Sequence, residues 1–167
     1  TTVVGEVAAD RLAAESALIP LAWVGRLDLI AATGAKIRTT EDVRDEVLTE
    51  GKRGTASLQA FLSGIPICET PSDAADVASL EGIAVADASV ILLAAAEDER
   101  LLANDKGLIE VARSHGVECW WVTTLLLKCT KEGVLTSTEA NEVLYDLVDS
   151  GMNLHPKVYV QVQQKIR

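Results

Sequence analysis

The stretch VADASVILLAAAEDERLLANDKGLIEVARSHGVECWWV, residues 85–122, decides the fold. After Asp87, residues 88–96 are apolar on every side, which predicts a central, buried helix. Leu101-Leu102-Ala103 predicts a short buried strand, and Asn104-Asp105 closes it. Leu108, Val111 and Ala112 then fall on one helical face. Gly116 punctuates that helix, and residues 117–122 read as the next strand. Strand, helix, strand at this spacing is a βαβ unit, and its crossover is right-handed.

The same alternation runs outward in both directions. Upstream, residues 2–9 or 11–14 supply a first strand. Residues 16–25 read as a helix despite Pro20, and residues 27–33 as a second short one. Residues 36–39 form a strand candidate, and Thr39 is placed to cap a helix with Asp42 three residues on. That helix runs to about residue 50 and stops at Gly51. Leu58, Phe61 and Leu62 mark a helix over Thr55–Ser63, ended by Gly64 and Pro66. A strand over 65–68 and a helix over 73–80 follow, the latter ended by Gly82. Downstream, 124–131 is a helix. Thr136-x-x-Glu139 is a capping box before Val143, Leu144, Leu147 and Val148. Gly151 ends that helix, and Pro156 opens a last one carrying Val158, Val162 and Ile166. No linker or repeat divides the chain. Residues 1–167 therefore read as one domain: a three-layer α/β/α sandwich around a central parallel sheet, with extra C-terminal helices.

The chain has 15 basic and 25 acidic side chains, a net charge of −10. This argues against a simple electropositive nucleic-acid binder and against docking to an anionic membrane by a basic patch. It leaves room for an enzyme whose bound cations carry the positive charge. The acid excess suits a salty cytoplasm or plain colloidal solubility. Cys68, Cys119 and Cys129 form no CxxC pair and are odd in number, which argues against a disulfide framework or zinc ribbon and for a reducing interior. His115 and His155 have no metal-ligand spacing. Residues 88–96 are too few to span a bilayer, and no signal-peptide pattern is read, so a cytoplasmic protein is expected. There is no GxGxxG and no P-loop lysine.

Ligands of open parallel sheets bind beyond the carboxyl ends of the strands. Asp105 follows one predicted strand, Asp87 opens the buried helix, and Glu46 lies beside Val47 on the apolar side of its helix. Three carboxylates aimed at one sheet end repel one another unless protonated or neutralised by a cation. Mg²⁺ or Mn²⁺ takes such oxygen ligands and promotes in-line displacement at phosphorus. Taken singly, each acid has a plainer role. Asp87 and Asp105 suit helix N-caps, and Glu46 suits pairing with Arg44 or Arg53. Trp120-Trp121 reads as a core or interface anchor, with base stacking the alternative. Residues 97–99, Glu-Asp-Glu, read as a solvated helix end. Cys68 and Cys129 read as small buried hydrophobes. Lys106, Arg100, Arg113, Lys128 and Lys131 are spread as a largely solvated face.

The segments SALIPLAWVGRLDLI (16–30), RTTEDVRDEV (38–47), VADASVILLAAAED (85–98) and LLANDKGLIEVARSHGVEC (101–119), in this order, resemble the PIN domain family. The tail GVLTSTEANEVLYDLVDSGMNL (133–154) resembles a VapC-type subgroup. The resemblance implies a Mg²⁺- or Mn²⁺-dependent ribonuclease, of a family many of whose members are toxins of a toxin–antitoxin pair. It implies an RNA substrate, a small antitoxin partner and a homodimer. The family's second, third and fourth acids fall on Glu46, Asp87 and Asp105, the catalytic and metal-ligating set. Asn104 lies beside the fourth, and Ser16 takes the family's hydroxyl position; both are expected to contact substrate. The family's first acid falls on Ala14. Glu15 is one residue away and Asp10 four, and Glu15 serves only where the strand has already ended. A catalytically degenerate PIN-fold module, acting through protein contacts at exposed positions such as Val158 and Val162, is the alternative. A phosphate-accepting receiver domain expects adjacent acids after the first strand and a lysine after the last, and neither is clear.

Overall fold

Five short strands set the frame in a computed structural model that describes residues 11–32, 34–49 and 53–167. They are β1 (Arg11–Ala13), β2 (Ile37–Thr40), β3 (Ile67–Cys68), β4 (Arg100–Leu102) and β5 (Cys119–Trp120). Every pairing is parallel, in the order β3-β2-β1-β4-β5. In β1, Arg11 pairs with Ile37 on one side and Arg100 on the other. Consecutive strand residues face opposite sides of a sheet. All three residues of β1 are buried, so both faces of the sheet are covered there, as parallel sheets require. This is the expected α/β sandwich. A receiver arrangement has strand order 2-1-3-4-5 and is excluded.

The helices are α1 (Glu15–Trp23), α2 (Glu41–Leu48), α3 (Thr55–Ser63), α4 (Ala74–Glu81), α5 (Val85–Glu97), α6 (Lys106–Ser114), α7 (Val122–Lys131), α8 (Ser137–Asp149) and α9 (Pro156–Ile166). None of the described helices is by itself long and apolar enough to cross a membrane. Thr55–Ser63 is a helix as expected. The capping box is present in full, with Thr136 Oγ1 accepting from Glu139 N at 3.1 Å and Glu139 Oε1 accepting from Thr136 N at 2.9 Å.

Several boundaries differ from expectation for local reasons. Residues 27–33 do not form an α-helix; a 3₁₀ turn occupies Leu27–Ile30, and residue 33 lies outside the described residues, as do residues 2–9, Asp10, and 50–52. The cap of α2 is Thr40, one residue later than Thr39: its hydroxyl accepts from Val43 N at 3.3 Å. Thr39 still belongs to β2, and its hydroxyl donates to Ala13 O at 2.7 Å. The strand expected over 117–122 shrinks to Cys119–Trp120, because Trp121 already caps α7. Helix α5 is not buried all round: Ala95 and Ala96 are exposed while Val90 and Ile91 are fully covered.

Two charge expectations also change. Glu97 and Asp98 are exposed, but Glu99 is buried and pairs with Arg38 of β2. Its helix ends at Asp98, in the left-handed region at φ 54°, which turns Glu99 back toward the sheet. Val162 is buried with Ile166 against the core, so of the two tail positions only Val158 is exposed. The reading of Trp120 as an anchor fits the structure: the buried Arg11 guanidinium lies 4.3 Å from its ring centroid and donates to Ile30 O at 3.1 Å.

Candidate active site

From β1 the sheet grows through β2 and β3 on one side and through β4 and β5 on the other. The strand order therefore reverses between β1 and β4, and a crevice opens at such a switch point beyond the carboxyl ends. Two hydrogen bonds tie the lips of that crevice together. Ala14 N donates to Leu102 O at 2.9 Å, and Asn104 N donates to Ser16 Oγ at 2.8 Å. Ser16 thus fixes the segment after β4 against the start of α1, and it lines a surface cavity together with Glu15 and Asn104.

Ala14 is fully buried and serves as the N-cap of α1 with extended backbone. An alanine supplies no capping oxygen. Because β1 ends at Ala13, Glu15 is already helical and half-buried at the crevice. The condition for Glu15 to reach the site in place of the family's first acid is therefore met. Asp10 lies outside the described residues.

Asp87 stands in the first turn of α5 and does not cap it; Ala84 is the cap and offers no side-chain bond. Its carboxyl is pushed up to about 6. Burial is the largest cause, followed by the charges of Asp105, Glu15 and Glu46. Three other acids thus act on Asp87, and no cation is among the groups that shift it. Asp105 is both a cap and a member of this group: one carboxylate oxygen accepts from Leu108 N at 3.0 Å. Glu46 corrects the sequence reading, since it is exposed instead of sitting on the apolar side of α2. Neither suggested arginine takes it. Arg44 pairs with Asp45 at 3.0 Å, and Arg53 donates to Ser150 O at 2.6 Å.

A buried hydroxyl relay holds these elements in place. Ser89 Oγ donates to Ala86 O at 2.6 Å, which leaves the Thr40 hydroxyl to donate to Ser89 Oγ at 2.7 Å. This joins the start of α2 to the first turns of α5, and hence the helix of Glu46 to that of Asp87. None of these hydroxyls carries a formal charge, so the relay does not relieve the crowded carboxylates.

The donor set suits a hard divalent ion, because oxygen ligands bearing excess negative charge are what Mg²⁺ and Mn²⁺ bind. Among the described residues, no group of three or more carboxylate, cysteine or histidine side chains stands arranged to hold a metal ion as it is. An open, partly hydrated site is the arrangement Mg²⁺ commonly accepts. Sequence reasoning missed Trp23, Met152 and Asn153, which border the crevice beside Glu15. Their place depends on how the α8–α9 connection folds back over α1, for which no local motif exists.

A five-stranded parallel α/β sandwich with acids gathered at its switch point defines a recognisable class. A family model described as a PIN domain, DUF3368, matches residues 14–167, and the chain belongs to this family. PIN domains are generally nucleases and generally use divalent metals. Among solved structures, the chain is similar to PAE2754 from Pyrobaculum aerophilum. That likeness has TM-score 0.51 and 22% identity over 72% of this chain and 96% of the other. It is also similar to a PilT N-terminus domain protein, SSO1118, from Sulfolobus solfataricus P2, with TM-score 0.49 and 14% identity over 87% of this chain and 96% of the other. No curated protein sequence matches.

Proposed function

We propose that this protein is a Mg²⁺- or Mn²⁺-dependent endoribonuclease, with Glu46, Asp87 and Asp105 as its catalytic acids and Glu15 as the fourth carboxylate. The observation that supports this reading is the Asp87 carboxyl, raised to about 6 by burial and by three like charges from three other elements. A divalent cation, when bound, supplies charge neutralisation at phosphorus and activates water there. The chain's part is to hold the acids in place. Asp87 is anchored by α5, Asp105 by its own bond to Leu108 N, and Glu15 by the helix that begins where β1 stops. Ser16 and Asn104 stand at the lip as substrate contacts, with Ser16 also fixing the position of Asn104.

Toxin activity held by a small antitoxin, a homodimeric state and a cytoplasmic setting belong to the same reading. The exposed Tyr145, Val158 and Val160 of α8 and α9 offer a face for such contacts. The free Cys68, Cys119 and Cys129 suit a reducing compartment. One observation favours a second reading, a catalytically degenerate module that acts through protein contacts: the buried Ala14 stands where the family has its first acid.

Cleavage of labelled single-stranded RNA with and without Mn²⁺ separates them. The nuclease reading expects Mn²⁺-stimulated cleavage, reduced about 10²- to 10³-fold in the Asp87→Asn, Asp105→Asn double variant, since each 1.4 kcal/mol of lost transition-state stabilisation is tenfold. Equal cleavage by that variant, or none by the wild type, supports the module.

A further inference from the structure

Beside the carboxylates, α1 and the loop between α8 and α9 enclose an open cavity of about 220 Å³. Its walls are of two kinds. Ile19, Trp23 and Met152 are apolar, whereas Ser16, Asn104 and Asn153 offer polar groups at the rim. Glu15 lies on the side shared with the carboxylates. We propose that this cavity receives one unpaired nucleobase of the RNA strand, next to the phosphate held at the acids, and sets the base preference of cleavage. The proposal rests on the nuclease reading and names the specificity determinant of that same site.

Size, chemistry and position argue together for a base. The volume is below the roughly 300–1,000 Å³ of pockets for drug-sized ligands, so it fits one ring system and no longer stretch of strand. A phosphate is poorly suited, because the acid Glu15 stands at the wall and no lining residue is cationic. A neutral heterocycle is well suited. Amide side chains both donate and accept, as the edges of bases require, and splayed-out bases are read in this way in single-stranded RNA. Ser16 Oγ accepts from Asn104 N, which leaves its hydroxyl proton for donation.

The Arg53 guanidinium sits 4.3 Å from the Trp23 ring centroid and donates to Ser150 O. This braces the ring between the cavity and the residue that precedes Gly151. Gly151, at φ 118°, adopts a backbone conformation that favours glycine, and a Cβ there would meet the Trp23 ring in ordinary contact at 3.5 Å. The loop and the ring thus pack side by side.

The test is to sequence the ends produced by the full chain with Mn²⁺ on a randomised single-stranded RNA pool. The wild type is expected to show about a tenfold preference for one base at a single position adjoining the cut, the value of one well-placed hydrogen bond. Asn153→Ala and Trp23→Leu are each expected to flatten it to below about twofold while cleavage persists. Asn153 is exposed, so its variant keeps the test sound should Trp23→Leu fail to fold. Wild-type cleavage without base preference, or an unchanged preference in a folded Asn153→Ala protein, overturns the base pocket and leaves the nuclease reading standing. Absence of wild-type cleavage removes both.

Discussion

At the amino edge of the sheet, acids meet bases. Glu99, just before β4, pairs with Arg38, and Glu118, just before β5, pairs with Arg100 at 2.7 Å. At the carboxyl edge the opposite holds. Asp87 feels burial and three negative charges, with no positive charge among the causes of its shift. The same sheet therefore carries matched charge at one end and crowded like charge at the other. The matched pairs neutralise one another, whereas crowding at the switch point costs folding energy, and perturbed carboxyls of this kind cluster where chemistry is done.

The contrast can be broken from either end. The largest change in stability is expected from the cation itself. At about a hundredfold excess over its Kd, Mn²⁺ contributes ~2.7 kcal/mol to the folded state. For a chain of this length that is a rise in Tm of roughly 5–10 °C, read by thermal melting with and without EDTA. Arg38→Ala comes next. It removes a partner from the buried Glu99 and is expected to cost about 2 kcal/mol, less than for a fully buried pair because Arg38 is partly exposed. Its melting point falls while its Mn²⁺ response stays that of the wild type.

Asp87→Asn is expected to act in the other direction. The folded-state value of about 6 lies above the ordinary 3.8, so between them the folded chain holds a proton that the unfolded chain releases. Stability from this group falls as pH rises through that window, and the penalty is complete above it. Without cation, the variant is therefore more stable than wild type at pH 7.5, by about 1 kcal/mol after allowance for solvent screening. The gain fades as pH drops toward 4. A purely structural acid in the first turn of a helix predicts a loss instead, because it favours the helix dipole. The smallest effect belongs to Arg100→Ala. Its partner Glu118 is exposed and the Arg100 guanidinium also lies 4.9 Å from the Trp120 ring centroid, so the change is expected to cost about 1 kcal/mol in urea melts.

Much of this frame is legible in the chain, and what is not has physical causes. The helix Thr55–Ser63 and the capping box at Thr136 are local signals, and local signals survive into the fold. The start of α5 is hidden because Ala84 caps without a side chain, so Asp87 looks like the cap when it already stands within the first turn. Thr39 and Thr40 are chemically alike, and only the strand pairing decides which one faces the helix. The burial of Glu99 follows from a left-handed residue at Asp98 and from a partner 61 positions away. Glu46, Asp87 and Asp105 can be picked out as a set from type and order, and the resemblance to a family does the rest. That Glu15 acts on Asp87 depends on β1 stopping at Ala13, and the α8–α9 loop reaches Trp23 only in three dimensions.

Calorimetric titration of the metal-free protein with Mn²⁺ tests the carboxyl edge most directly. Saturable binding in the micromolar range is expected, weakened tenfold or more by Asp87→Asn, a loss of about 1.4 kcal/mol or greater. No saturable heat in the wild type, or the same affinity in Asp87→Asn, contradicts it.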